Sequence, residues 1–179
     1  MRYQLLALDV DGTLLDSAHV LRARVIAAVR AASDAGLHVS LATGKLLPSV
    51  RPMLDALGIN GPQITLNGAA TIDSATDAVH RFCPLSEGER QEVIAAVRAT
   101  DPAILVSHFT VDGIYVDRAH PLLGVFAEYG EGPPHQVADL LAPGLPPAAK
   151  ILLSGPPARL AAIRAALAPR FEGRLTVTT

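Results

Sequence analysis

Two carboxylates one residue apart, Asp9 and Asp11, stop an apolar run near the start of the chain, and Gly12-Thr13-Leu14-Leu15 follow at once. Residues two apart on a strand project to the same side, so Val10 is sent to the opposite face and the two carboxylates converge. Like charges held that close resist ionising together, so a divalent cation, a shared proton or both should accompany them. Oxygen-only donors point to Mg2+, with Asp9 and Asp11 as its ligands, because magnesium takes carboxylates, water and phosphate oxygens rather than a full protein cage. Gly12 permits close backbone approach and offers an amide to an anion, while the Thr13 hydroxyl helps fix the turn. Taken alone, Asp-x-Asp-Gly also describes a solvated turn behind a buried strand.

The elements around this turn must present it. Leu5 to Val10 reads as a strand buried on both faces. Leu21 to Ala35 carries apolar residues at helical spacing (Leu21, Val25, Ala28, Val29, Ala32) and closes at Gly36. A second strand, His38 to Ala42, ends in Thr43-Gly44, a helix from Leu46 to Leu57 follows, and Gln63 to Leu66 makes a third strand before Asn67-Gly68. Strand, helix, strand implies a right-handed parallel crossover. Three strand ends then face one crevice, at the carboxyl edge where open α/β sheets bind ligands. The Thr43 hydroxyl and the Gly44 amide, placed at the start of the next helix, suit phosphate oxygens. Gly44-Lys45 is not a nucleotide P-loop, because the preceding glycine is Gly36 and Leu46 stands where Ser or Thr is required. Lys45 reads equally as a phosphate-facing cation and as a surface lysine.

Asp9-Val10-Asp11-Gly12-Thr13-Leu14, Ala42-Thr43-Gly44 and Asn67-Gly68-Ala69, in this order, resemble the haloacid dehalogenase superfamily of phosphohydrolases, and among them the Cof-type members with a large cap. The resemblance implies a Rossmann-like α/β parallel-sheet core with an α+β cap domain and a Mg2+-dependent phosphatase of small phosphorylated metabolites. It assigns Asp9 as the nucleophile that forms an aspartyl phosphate, and Asp11 as general acid and base with its carbonyl on the metal. Gly12, Thr43 and Gly44 would bind phosphate, and Lys45 and Asn67 the substrate. Lys45 stands where such proteins often carry Arg, which keeps the charge and loses the bidentate fork.

From Ala70 onward the pattern turns to hairpins mixed with helices, an α+β layer. The resemblance implies a cap beginning near residue 72 to 82, so residues 1–71 are expected as the amino-terminal part of the core and 72–179 as the cap. Ile104 to Phe109 and Gly113 to Asp117 flank a turn at Val111-Asp112-Gly113. Helices are expected over Ser86 to Ala99, Pro121 to Tyr129 and Ala158 to Leu167, strands over Ala149 to Ser154 and Leu175 to Thr178, and a loop with a short helix over Gly130 to Pro147. His108 reads as a half-exposed sheet residue, Asp112 and Asp117 as turn and strand-end residues, and Lys150 as a cap lysine. A complete family member returns from cap to core with a further lysine and a Gly-Asp-x-x-Asn-Asp motif. Neither follows here, so the core is expected to be incomplete at its C-terminus, turnover poor, and the first strand an open edge inviting a homodimer.

The formal net charge of −2 and 4% aromatic content leave no basic stripe or stacking platform for nucleic acid. No signal-peptide core and no bilayer-length apolar run is present, which gives a cytoplasmic expectation and no membrane partner. The single Cys83 cannot form an internal disulfide and is read as packing. Two function classes remain: the phosphatase, and a non-catalytic module that binds a phospho-ligand or a protein.

Overall fold

The structure is a computed structural model describing residues 3–178. By its internal contacts the chain divides between Cys83 and Pro84. The strands just beyond residue 69 pair with the first unit.

In the first unit β1 (Leu5–Leu8) pairs in parallel with β2 (His38–Leu41), joined by α1 (Ala23–Asp34). Val29, Val39, Leu41, Leu54 and Leu57 are among its buried apolar residues. The strand expected to be buried on both faces is not: Leu5 is 60% exposed, because β1 has a ladder partner on one side among the described residues. α2 (Leu47–Leu57) carries Pro48 at its amino end and stops at Gly58, whose φ of 70° suits a helix terminus without a side chain.

β3 (Pro62–Thr65) meets β2 at a parallel bridge between Ala42 and Ile64. Side chains supply bonds beside it. The Leu41 amide donates to Gln63 Oε1 at 2.7 Å, and Ser40 Oγ donates to the Pro62 carbonyl at 2.9 Å. A 3-10 turn, Leu66–Gly68, leads into β4 (Ala70–Asp73) and β5 (Val79–Phe82), which form an antiparallel sheet of order β3-β4-β5.

The second unit begins with α3 (Glu87–Thr100), started by a capping box in which Ser86 Oγ accepts the Glu89 amide and the Glu89 carboxylate accepts the Ser86 amide. β6 (Leu105–Phe109) and β7 (Ile114–Val116) make the expected hairpin. A 3-10 turn (Pro121–Gly124) and the short α4 (Val125–Glu128) replace one longer helix. β8 (His135–Gln136), β9 (Lys150–Ser154) and α5 (Pro157–Phe171) follow, and the sheet order is β8-β7-β6-β9. Ile94, Val97, Ile104, Val106, Ile163 and Phe171 pack between helices and sheet.

Two expectations fail here. Residues 130–147 contain a two-residue strand and no helix, and 175–178 is not a strand. Leu175 instead packs against the core between α3, α5 and the sheet. Among the described residues no helix is long and apolar enough to cross a membrane.

Candidate active site

β1 ends at Leu8, and the chain turns immediately. The Val10 carbonyl accepts the amides of Thr13, Leu14 and Leu15 at 3.3, 3.0 and 2.9 Å, and Gly12 at the bend has φ +77°, a conformation glycine adopts without strain. Val10 is fully buried while Asp9 and Asp11 on either side of it are exposed. The alternation expected of the two carboxylates is thus present.

The end of β2 is wired to this turn and to β3. The Ala42 amide donates to the Leu8 carbonyl at 2.8 Å and the Thr43 amide to the Ile64 carbonyl at 3.0 Å. Thr43, only 4% exposed, accepts the Lys45 amide on Oγ1 at 3.2 Å and the Asn67 amide on its carbonyl at 3.0 Å. The Lys45 carbonyl accepts the Leu66 amide at 3.2 Å. That bond, with Pro48 setting the helix start, keeps residues 43–46 out of α2, so Gly44 does not occupy the helix's first turn as the sequence suggested. Gly44 serves by its missing side chain instead: a Cβ there would stand 3.1 Å from both Nδ2 and Oδ1 of Asn67. Asn67 sits over it in a left-handed conformation (φ 59°), which asparagine tolerates better than most residues.

Lys45 is not a surface lysine. It is 8% exposed, and its Nζ lies 3.5 Å from Asp11 Oδ2. The other oxygen, Asp11 Oδ1, lies 3.8 Å from Nδ1 of His19. His19 was not legible as a site residue, since its position depends on a loop conformation and not on any spacing. Asp11, Lys45 and His19 therefore meet directly, while Thr43, Gly44, Lys45 and Asn67 meet through backbone bonds and packing. Asp9 and Gly12 belong to the same turn as Asp11.

Among the described residues no group of three or more His, Cys, Asp or Glu side chains is placed to hold a metal ion. Two exposed carboxylates separated by a buried valine still match the donor chemistry of magnesium, which is commonly held by one or two carboxylates with water and phosphate oxygens completing the shell.

The residues singled out in the second unit are structural. His108 is fully buried on β6, which has β7 and β9 on either side, and its Nε2 lies 2.8 Å from the Pro146 carbonyl. Lys150 opens β9 with Nζ 4.7 Å from the centre of the Phe109 ring. Asp112 is a turn residue whose amide donates to Thr110 Oγ1, whereas Asp117 does more than end a strand: it pairs with Arg98 and accepts the Leu140 amide. Cys83 is exposed, not packed.

The family model of haloacid dehalogenase-like hydrolases matches residues 6–179. A phosphoglycolate phosphatase of Thermoplasma acidophilum is 41% identical over 71 residues, which is 40% of this chain and 32% of that protein. An HMP-PP phosphatase of Yersinia pestis is 30% identical over 119 residues, 66% of this chain and 42% of that protein. The crystal structure of a haloacid dehalogenase-like hydrolase from Bacteroides thetaiotaomicron shares the fold with a TM-score of 0.84 at 21% identity, covering 99% of this chain and 68% of that one. The chain spans about a third to two fifths of the length of these two curated relatives.

Proposed function

The chain belongs to the haloacid dehalogenase-like hydrolase family, and from that premise we propose that it is a phosphomonoester hydrolase acting on a small phosphorylated metabolite in the cytoplasm. The observation that carries the reading is the Lys45 to Asp11 contact at 3.5 Å, which joins the turn after β1 to the segment after β2 at one place. Phosphatase names among its relatives support the reaction class.

In this reading a carboxylate oxygen of Asp9 attacks phosphorus, and the bond from phosphorus to the ester oxygen breaks. Asp11, protonated, gives its proton to the departing oxygen. Asp11, now a carboxylate, takes a proton from a water molecule whose oxygen attacks phosphorus. The bond to Asp9 then breaks, which frees inorganic phosphate and restores both side chains. The amides of Gly12 and Gly44, the Thr43 hydroxyl and the Lys45 ammonium bind the phosphate oxygens, and Asn67 contacts the substrate beside them. Asp9 through its carboxylate and Asp11 through its backbone carbonyl would hold Mg2+, whose charge would offset the repulsion between carboxylate and phosphate.

The test is release of inorganic phosphate from a panel of sugar phosphates and from para-nitrophenyl phosphate, with and without added Mg2+. Metal-dependent release supports the reading. Binding of phosphate esters without any release would leave the chain as a phospho-ligand module instead.

A further inference from the structure

We infer that His19 is a positioning residue that orients the carboxyl group of Asp11. The inference rests on the hydrolase reading, in which Asp11 moves protons.

The loop that carries His19 is built around Asp16. Its Oδ1 accepts the amides of Ala18 at 2.9 Å and Val20 at 3.0 Å, and its Oδ2 accepts Arg22 Nε at 2.6 Å. These donors, the Val20 amide foremost, hold the Asp16 carboxyl below its ordinary value, so the brace is charged at neutral pH. Bridges from Asp11 to Leu15 and from Leu15 to Leu21 tie the loop to the catalytic turn. Within it His19 adopts φ +55°, a left-handed conformation uncommon outside glycine and one that histidine enters more readily than most residues.

That conformation sets Nδ1 3.8 Å from Asp11 Oδ1 while Lys45 Nζ stands 3.5 Å from Oδ2, so each carboxyl oxygen faces its own nitrogen. The His19 and Asp11 side chains are 53% and 42% exposed, and polar contacts that open to water add little stability. What the pair restricts is rotation of the carboxyl group. A proton donor that must serve first the leaving oxygen and then the water gains from that restriction.

His19→Gly tests this, because glycine accepts φ +55° without strain while removing the ring. The expected result is a melting temperature at or above the parent's. With para-nitrophenyl phosphate, kcat falls on the order of tenfold and KM is unchanged; added imidazole restores part of the rate. The 13C resonance of the Asp11 carboxyl carbon should also move in the variant, a readout independent of turnover. An unchanged kcat, or an unmoved Asp11 resonance, overturns the inference. Asp11→Asn run alongside separates the two levels: no phosphate release by the parent removes the hydrolase reading and this inference with it, and parental activity in Asp11→Asn removes the proton-transfer role of Asp11 on which the inference rests. An inactive Asp11→Asn beside a parental His19→Gly removes the role of His19 alone.

Discussion

The Asn67 side chain lies so close over Gly44 that a Cβ on the glycine would meet its amide nitrogen and oxygen at 3.1 Å each. Asn67 is exposed and can move aside, so Gly44→Ala should change stability by no more than about 0.5 kcal/mol. Moving Asn67 displaces a substrate contact in the proposed site. kcat/KM toward para-nitrophenyl phosphate should therefore fall roughly tenfold with the melting temperature nearly unchanged. A parental kcat/KM would show that Asn67 is no part of the site.

Asp9→Asn should abolish phosphate release and leave the fold intact, since an amide cannot serve as the attacking oxygen and the residue is exposed. Asp11→Asn should be less complete, with a loss of about 10²- to 10⁴-fold, because phosphate contacts remain while proton transfer is lost. Steady-state rates and far-ultraviolet circular dichroism on both variants are sufficient. A deeper loss at Asp11 than at Asp9 would exchange the two roles.

How much of this was legible in the residues differs from place to place. The Asp9-Val10-Asp11 alternation was, because a period of two needs no information from elsewhere in the chain; burial of Val10 follows from it. α1, α2 and α3 were, from apolar spacing and terminal residues. The segment from Thr43 to Leu46 was misread as helix start because the bond from Leu66 to the Lys45 carbonyl comes from a turn some twenty residues away. His19 was invisible for a similar reason, its placement being set by the Asp16 carboxylate. Residues 175–178 have β-forming side chains, yet they pair with no strand, and Leu175 is taken up by packing against the core instead.

The open side of β1 gives the next prediction. Its one ladder partner among the described residues is β2, and Leu5 is 60% exposed on it. An apolar edge with free backbone donors and acceptors favours pairing with a second copy. Light scattering should show concentration-dependent self-association, weakened by Leu5→Lys. A clean monomer at high concentration would contradict this.

Gln63 stands in for backbone bonds between β2 and β3. Fully buried, it accepts the Leu41 amide on Oε1 at 2.7 Å and donates from Nε2 to the Gly61 carbonyl at 3.0 Å. Gln63→Leu leaves a buried amide and a carbonyl without those partners, and should destabilise the chain by about 2 to 3 kcal/mol in urea denaturation. A loss below about 0.5 kcal/mol would mean that the Gln63 bonds add nothing to the other bonds and packing between β2 and β3.

The last prediction concerns pH and His108. Its ring is fully buried, Nε2 faces the Pro146 carbonyl at 2.8 Å, Nδ1 is buried without a hydrogen-bond partner, and the Tyr115 ring packs edge-on at 5.8 Å. Burial lowers its pKa from the ordinary 6.5; the Pro146 carbonyl opposes that, and the positive charge of Arg90 adds to it. The folded chain therefore prefers the neutral ring, and between the lowered value and 6.5 the unfolded chain binds more protons. Stability is fully present above about pH 6.5 and falls as pH drops through that window. The carboxylates held low by hydrogen bonds, such as Asp16, Asp101 and Glu92, withdraw their contribution only below their ordinary values of 3.8 to 4.5. Urea midpoints between about pH 4.5 and 6.5 consequently isolate the histidine. His108→Gln keeps an N–H for the Pro146 carbonyl and cannot titrate, so its midpoint should decline less across that range than the parent's. Equal slopes in parent and variant would assign the acid sensitivity to other groups.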